Sequence, residues 1–101
     1  MILPSFTFSA LLNVILQEGL RPRFVDIDPA TYNTTPDLVA AAITERTRLI
    51  LAVHTFGFPV DMEKMRDLAR GGSRTGRQRR TIHLIEDACE APGAELTLRL
   101  G

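Results

Sequence analysis

The chain has 101 residues, of which 45% are hydrophobic and 24% are charged, and its twelve basic and twelve acidic residues cancel to zero net charge. This length and composition predict one globular domain, and they exclude a disordered tail, a collagen-like chain and a disulfide scaffold. Zero net charge argues against a globally basic nucleic-acid-binding protein, so we expect no nucleic-acid partner.

The predicted elements alternate between short strands and amphipathic helices. A strand at residues 2–3 stops at Pro4 and is followed by a helix at residues 9–18 and a strand at residues 23–27. The helix is predicted because its apolar residues recur at helical spacing. Gly19 suits the carboxyl end of this helix, since glycine adopts the left-handed backbone there at little steric cost.

The second and third helices are marked by the residues at which they begin. Thr35 is typical of a helix N-cap, and Pro36 is favoured at the first helical position because it has no N–H to satisfy. Asp61 is the expected cap of the third helix. We therefore place two further helices after these residues.

Two more strands complete the predicted order. The continuous apolar run at residues 48–53 is typical of a strand covered on both faces, and residues 81–85 form the last clear strand. The β-α-β-α-β-α-β order predicts an α/β fold with a mainly parallel sheet and flanking helices. Residues 71–80 hold glycines and arginines but no apolar residue, so we expect an exposed loop there.

The predicted helix at residues 9–18 is apolar on nearly all sides, which indicates burial on every side. Its apolar residues include Leu11, Leu12, Val14, Ile15 and Leu16. Burial on every side needs more neighbouring structure than the four predicted strands and the other helices supply. We therefore expect the isolated chain to be marginally stable, aggregated or dimeric.

Polar residues follow the end of each predicted strand, at the edge where ligands bind to open parallel sheets. They are residues 5–8, 26–28, 54–57 and 86–90. The adjacent carboxylates Glu86 and Asp87 are the most suggestive pair, because they could hold a metal ion, a water molecule or a cationic ring nitrogen. Their spacing does not choose between these ligands.

Each of the other candidates also has a purely structural interpretation. Asp26 and Asp28 are common turn residues, and His54 fits a half-buried histidine whose hydrogen bonds are satisfied. Cys89 fits a buried small thiol better than a nucleophile, because the sequence identifies no base beside it. By spacing alone, Phe8 belongs in the core.

Several ordered blocks resemble the DegT/DnrJ/EryC1/StrS aminotransferases, which are pyridoxal-phosphate enzymes of sugar biosynthesis. The blocks are PSFTF (4–8), FVDID (24–28), AAIT (41–44), RT (46–47), VHTFGFP (53–59) and IEDACEA (85–91). The resemblance implies the type I aminotransferase fold, with residues 1–101 forming part of its large domain. In that domain, helices flank a mostly parallel sheet.

The resemblance also implies a binding site for pyridoxal 5′-phosphate. Asp87 matches the aspartate beside the pyridine nitrogen, where a carboxylate stabilises the protonated ring that acts as an electron sink. Phe8 matches the aromatic residue that stacks on the ring face, and Glu90 matches a position near the ring hydroxyl. No metal ligand is implied.

The Schiff-base lysine of the family lies downstream of this aspartate, in a serine-rich segment that the chain does not contain. The only lysine, Lys64, matches a surface position of the family. The resemblance therefore assigns no catalytic residue, and we expect the chain alone to be inactive because the amine that catalyses proton transfer is absent.

The implied function is part of an enzyme that transfers an amino group to a nucleotide-linked keto-sugar, in polysaccharide or secondary-metabolite biosynthesis. The usual donor is glutamate or glutamine, and the implied assembly is a homodimer. Two alternatives stay open. One is a non-catalytic α/β remnant or interaction module. The other is a fragment of a nucleotide-sugar glycosyltransferase, in which residues 26–28 hold a divalent cation.

The cellular setting is predicted from cysteine content and hydropathy. The single cysteine can form no disulfide within the chain, so a reducing cytoplasm is the simplest location. No apolar run approaches the roughly 20 residues that a membrane helix needs. Residues 1–6 also lack the basic region of a signal peptide, and we expect no membrane partner.

Overall fold

A computed structural model describes residues 1–71 and 81–89 of the chain. The strands are β1 (Ile2–Pro4), β2 (Arg23–Val25), β3 (Leu49–Val53) and β4 (His83–Asp87), and the helices are α1 (Ser9–Gln17), α2 (Pro36–Ala42) and α3 (Met62–Ala69). A 3₁₀ turn, Thr55–Gly57, follows β3. The strands form one sheet in the order β2-β1-β3-β4, and every pair is parallel. The predicted α/β fold is confirmed.

The sheet has a core on each face, because successive side chains of a strand point to opposite sides. Ile2, Ile50 and Ala52 belong to the larger core, which also holds buried residues of α2 and α3. Leu3 and Leu51 belong to the smaller core, which they share with α1. The helices therefore flank the sheet on both faces.

The helix ends form as their sequences predict. Thr35 Oγ1 accepts a hydrogen bond from the Leu38 N–H at 3.2 Å, and Asp61 Oδ1 accepts one from the Lys64 N–H at 3.2 Å. Each bond satisfies an N–H that has no partner inside the first helical turn. Gly19 follows α1 with a φ of +71°, the left-handed conformation that glycine adopts most easily.

Strand bounds depart from the prediction at both ends of the sheet. The second strand is shorter than residues 23–27, and the last strand covers His83–Asp87 rather than residues 81–85. Pairing with β3 determines where the last strand begins and ends, because Leu49 lies opposite His83 and Val53 lies opposite Asp87. Asp87 is therefore the final residue of β4 rather than a residue beyond it.

Helix α1 is covered on one side only by the described residues. Ile15 is buried, whereas Val14 and Leu16 are each more than half exposed. The apolar residues on the outer sides of α1 thus have no cover within residues 1–71 and 81–89. The expectation that the isolated chain is marginally stable, aggregated or dimeric stays a prediction.

Some expectations concern parts of the chain that the structure does not describe. Residues 72–80, most of the predicted loop at 71–80, are among them, and so is Glu90. In the described part of the chain, no helix has the length and apolar character needed to cross a membrane.

Candidate functional site

A cleft of about 480 Å³ opens at the carboxyl edge of the sheet. Residues 6–8 after β1 and residues 53–56 at the end of β3 line it, together with Leu11, Asp87 and Cys89. Three of the four predicted polar segments therefore meet in one place, as parallel strands require. Residues 26–28 do not line the cleft.

Phe8 is an exposed ring in this cleft. Its side chain is 77% exposed, so the expectation from spacing that Phe8 packs in the core is wrong. The reason is its position: Phe8 is the residue immediately before α1, on extended backbone, and it lines the cleft. The stacking role implied by the resemblance needs a ring that a ligand can reach, and stays a prediction.

Asp87 presents a carboxylate to the same cleft. Its Oδ1 accepts a hydrogen bond from the Cys89 N–H at 3.1 Å. Hydrogen bonds from the Cys89 side chain and N–H lower the pKa of Asp87, and partial burial opposes them. Asp87 is thus ionised at neutral pH. Cys89 itself is exposed in the turn after β4, so the expected buried thiol is wrong.

Removing the Cys89 thiol should raise the pKa of Asp87. In Cys89→Ala the side-chain hydrogen bond is lost, whereas Cys89→Ser keeps a donor and should change the pKa less. Because the pKa of Asp87 is lower in the folded chain than in the unfolded chain, its ionised carboxylate stabilises the fold at pH values above the unfolded-state pKa. This stabilisation is lost as the pH falls through the pKa of the folded chain. A carboxyl ¹³C titration of Asp87 measures the change, and identical titrations of Cys89→Ala and the unchanged chain would contradict it.

His54 is buried, and both of its ring nitrogens have partners. Nδ1 accepts a hydrogen bond from the Val60 N–H at 2.9 Å, so the neutral ring carries its proton on Nε2. Nε2 then donates to Glu86 Oε1 at 2.7 Å. The expectation of a satisfied histidine is confirmed, although its exposure is only 4% rather than that of a half-buried residue.

The two adjacent carboxylates of β4 therefore have different surroundings. Glu86 pairs with His54 and does not line the cleft, while Asp87 does. Successive side chains of a strand point to opposite faces, which separates the pair once both residues belong to β4. Asp87 is the member of the pair that a ligand in the cleft can meet.

A buried asparagine holds the turn that forms one wall of the cleft. Asn33, which is 3% exposed, accepts a hydrogen bond from the Thr55 N–H at 2.8 Å through Oδ1. Its Nδ2 donates to the Phe58 carbonyl at 2.7 Å. The side-chain amide thus joins the loop after β2 to the turn after β3. Sequence reasoning missed this residue, because its partners are more than twenty positions away.

Asn33→Ala should lower the free energy of unfolding by about 2–3 kcal/mol, since it leaves a buried N–H and a carbonyl without partners. Urea unfolding of the 101-residue chain measures this loss. Asn13→Ala, at an exposed position of α1, is the matched control and should change stability by less than about 0.5 kcal/mol. Equal losses in the two variants would show that the Asn33 hydrogen bonds contribute little.

Three aromatic rings cluster beside the cleft, each from a loop after a different strand. Phe6 lies 5.5 Å from Tyr32 and 6.1 Å from Phe56 between ring centroids, and Tyr32 lies 5.9 Å from Phe56. Phe6 and Phe56 also line the cleft. The sequence carries one signal for this cluster, because each aromatic residue follows the carboxyl end of one of three adjacent strands.

The turn interpretation is confirmed for Asp28, which lies at the start of the turn through residues 29–31. Asp26 Oδ1 accepts a hydrogen bond from the Ile27 N–H, and Asp28 Oδ1 accepts one from the Ala30 N–H, each at 2.8 Å. Across residues 1–71 and 81–89, no group of three or more His, Cys, Asp and Glu side chains is placed to hold a metal ion.

The residues of the cleft suit a planar, cationic aromatic ligand. Phe8 offers a ring face and Asp87 offers a carboxylate that is ionised at neutral pH. Thr7 and Thr55 also line the cleft, and their buried hydroxyl oxygens have no hydrogen-bond partner within the described residues. Buried polar atoms are normally satisfied in the working state of a protein. This donor set fits the protonated pyridine ring of pyridoxal phosphate.

Comparison with known families decides the relationship. The profile of the DegT/DnrJ/EryC1/StrS aminotransferase family matches residues 1–99. The chain belongs to this family. Members of the DegT family use pyridoxal phosphate, bind nucleotide sugars and amino donors, and are generally dimeric. The resemblance predicted from the ordered sequence blocks is confirmed.

Relatives within the DegT family carry out more than one reaction on sugars. The chain is 39% identical, over 92% of its length, to a dTDP-4-dehydro-2,6-dideoxy-D-glucose 3-dehydratase of Saccharopolyspora spinosa, of which it covers 18%. It is 40% identical, over 92% of its length, to a UDP-2-acetamido-2-deoxy-3-oxo-D-glucuronate aminotransferase of Pseudomonas aeruginosa, of which it covers 24%.

A solved structure of the family shares the fold closely. NtdA of Bacillus subtilis with its bound cofactor PMP matches with a TM-score of 0.78 and 38% identity, over 91% of this chain and 19% of that one. The chain therefore spans about a fifth of the length of the relatives that it matches.

Proposed function

We propose that this chain forms one side of the cofactor pocket of a pyridoxal-phosphate-dependent sugar aminotransferase. The observation that carries the proposal is that Phe8 and Asp87, which are far apart in sequence, line one cleft at the carboxyl edge of the sheet. Membership of the DegT family supports the same pocket.

Each residue has a defined part in this proposal. Asp87 would hold the protonated pyridine nitrogen, because its carboxylate is ionised at neutral pH and opposite charges attract strongly where water is partly excluded. Phe8 would fix the plane of the ring by stacking on its face. Glu90 would lie near the ring hydroxyl, as its match to the family implies. When bound, the cofactor supplies the electron sink for amino transfer.

The proposed substrates are a nucleotide-linked keto-sugar and an amino-acid donor, in a cytoplasmic homodimer. No catalytic residue is assigned to this chain. Lys64 does not line the cleft, is 73% exposed, and lies 3.6 Å through Nζ from Asp61 Oδ2 at the start of α3. A second candidate reaction is dehydration of the sugar, because the Saccharopolyspora relative is a dehydratase.

Titration with pyridoxamine phosphate (PMP) tests the proposed pocket. PMP cannot condense with the Lys64 amine or the N-terminus, so adventitious adducts are avoided. Tyr32 is the only tyrosine and the chain has no tryptophan, so its emission reports on the aromatic cluster beside the cleft. We expect saturable, one-to-one quenching of Tyr32 emission. Quenching that rises linearly without saturation would contradict the proposal.

A further inference from the structure

The aromatic cluster of Phe6, Tyr32 and Phe56 keeps much of its ring surface open. The three side chains are 44%, 48% and 69% exposed although they contact one another. Apolar surface that is gathered in one patch beside a cleft, rather than scattered singly, is typical of a binding site. The cluster is thus a candidate ligand surface that adjoins Phe8 and Asp87 in the same cleft.

The backbone is strained to hold two of these rings. Tyr32 has a φ of 61° and Phe56 a φ of 55°, which lie in the left-handed region that non-glycine residues rarely adopt because the Cβ atom clashes with the backbone. Asn33 links the two positions, because it directly follows Tyr32 and its side chain bonds to Thr55 and Phe58 on either side of Phe56. Tyr32 and Phe56 are far apart in the sequence, yet both adopt a strained backbone and their rings meet in one cluster. Backbone strain that the surrounding structure maintains in this way is typical of functional sites.

The charges of the cleft define the class of ligand. Its titratable residues within the described chain are His54, Asp87 and Cys89, with no lysine or arginine among them. Both ring nitrogens of His54 are already bonded. A diphosphate would find no cationic partner among the residues that line the cleft, and it would be repelled by the negative charge of Asp87. The lining of the cleft therefore suits a neutral part of a ligand.

The angles between the rings favour a sugar over a nucleobase. The ring planes are inclined at 40°, 57° and 83° to one another, so they form no parallel slot for a flat base. A pyranose ring presents C–H groups on its faces and edges, and tilted aromatic rings can contact several of them at once. We propose that Phe6, Tyr32 and Phe56 bind the neutral pyranose ring of the substrate. This inference rests on the proposed function, which places the cofactor beside it.

The test uses the 101-residue chain and two probes, methyl α-D-glucopyranoside and UDP. Saturation-transfer NMR with irradiation of the aromatic protons should give signals on the C–H groups of the glucoside, and the glucoside should shift Tyr32 emission saturably. UDP should do neither. Binding of UDP without binding of the glucoside would assign the cluster to a base instead, and binding of neither would overturn the proposal.

Two leucine variants locate the binding. Phe56→Leu and Phe6→Leu should each weaken glucoside binding about three- to tenfold, since a ring contact is replaced by a smaller apolar one. Phe6 lies on backbone without the left-handed strain, so Phe6→Leu tests the ring apart from the fold of the turn. Phe24→Leu is the control, because Phe24 is 49% exposed on β2 and lines no part of the cleft.

The outcomes separate this inference from the proposed function. Asp87→Asn should lower PMP affinity and leave glucoside binding unchanged, whereas Phe24→Leu, outside the cleft, should change neither. If PMP binds but the glucoside signal is equal in Phe56→Leu, Phe6→Leu and Phe24→Leu, the sugar site is wrong and the cofactor pocket stands. If the glucoside binds as expected and PMP does not, the cofactor pocket is wrong.

Discussion

Asp87→Asn should weaken the binding of PMP to this chain by about ten- to a hundredfold. Asparagine has nearly the same shape as aspartate and retains an acceptor oxygen, but it carries no charge. A hydrogen bond between charged groups contributes about 1.5–3 kcal/mol. The substitution removes the negative charge of Asp87 and therefore most of this contribution. Quenching of Tyr32 emission by PMP measures the affinity in both proteins.

The control for this experiment is Asp67→Asn. Asp67 is an exposed residue of α3 outside the cleft, so its substitution changes the net charge equally but should leave PMP affinity unchanged. Because the Cys89 hydrogen bonds lower the pKa of Asp87, PMP affinity should persist as the pH falls and decline only below the ordinary range of an aspartate. Equal affinities for Asp87→Asn and Asp67→Asn would remove Asp87 from the pocket.

His54→Ala should lower the free energy of unfolding by about 3–5 kcal/mol. The substitution deletes a buried ring and leaves a cavity, and it removes the acceptor of the Val60 N–H and the donor to Glu86. These hydrogen bonds join the end of β3 to β4 and to the loop before α3. Urea unfolding followed by circular dichroism measures the loss.

The second histidine provides the matched control. His83 is the exposed first residue of β4, and His83→Ala should cost less than about 1 kcal/mol. Imidazole ¹⁵N shifts of the unchanged chain should also place the proton of His54 on Nε2. A loss in His54→Ala no larger than in His83→Ala, or a proton on Nδ1, would contradict the structural role of this histidine.

Local chemistry made several features predictable. Thr35 and Asp61 cap their helices as expected, because capping involves a side chain and an N–H only three residues apart. The alternation of strands and helices indicated a parallel sheet, and the carboxyl edge of that sheet was predicted to hold the site. The resemblance of ordered sequence blocks added Phe8 and Asp87, which the structure brings to one cleft.

Expectations that depended on distant partners were less successful. Cys89 was expected to be buried and is exposed, because β4 extends to Asp87 and places Cys89 in the turn beyond it. Phe8 was expected in the core by spacing, but no described residue covers its position at the start of α1. The boundary of β4 depends on pairing with β3, which local hydropathy does not encode.

The sequence by itself determined the α/β class, the helix caps and the edge of the sheet at which the cleft opens. The caps form between residues close in the chain, and the alternation of strands and helices places the ends of parallel strands at one edge. The resemblance selected Asp87 over Glu86, but only the tertiary structure showed that Glu86 pairs with His54, because this contact joins β4 to the end of β3. Only the strand order β2-β1-β3 gathered Phe6, Tyr32 and Phe56 into one cluster. Parallel crossovers place the loops after these strands side by side, and contacts between such distant loops leave no periodic signal in the sequence.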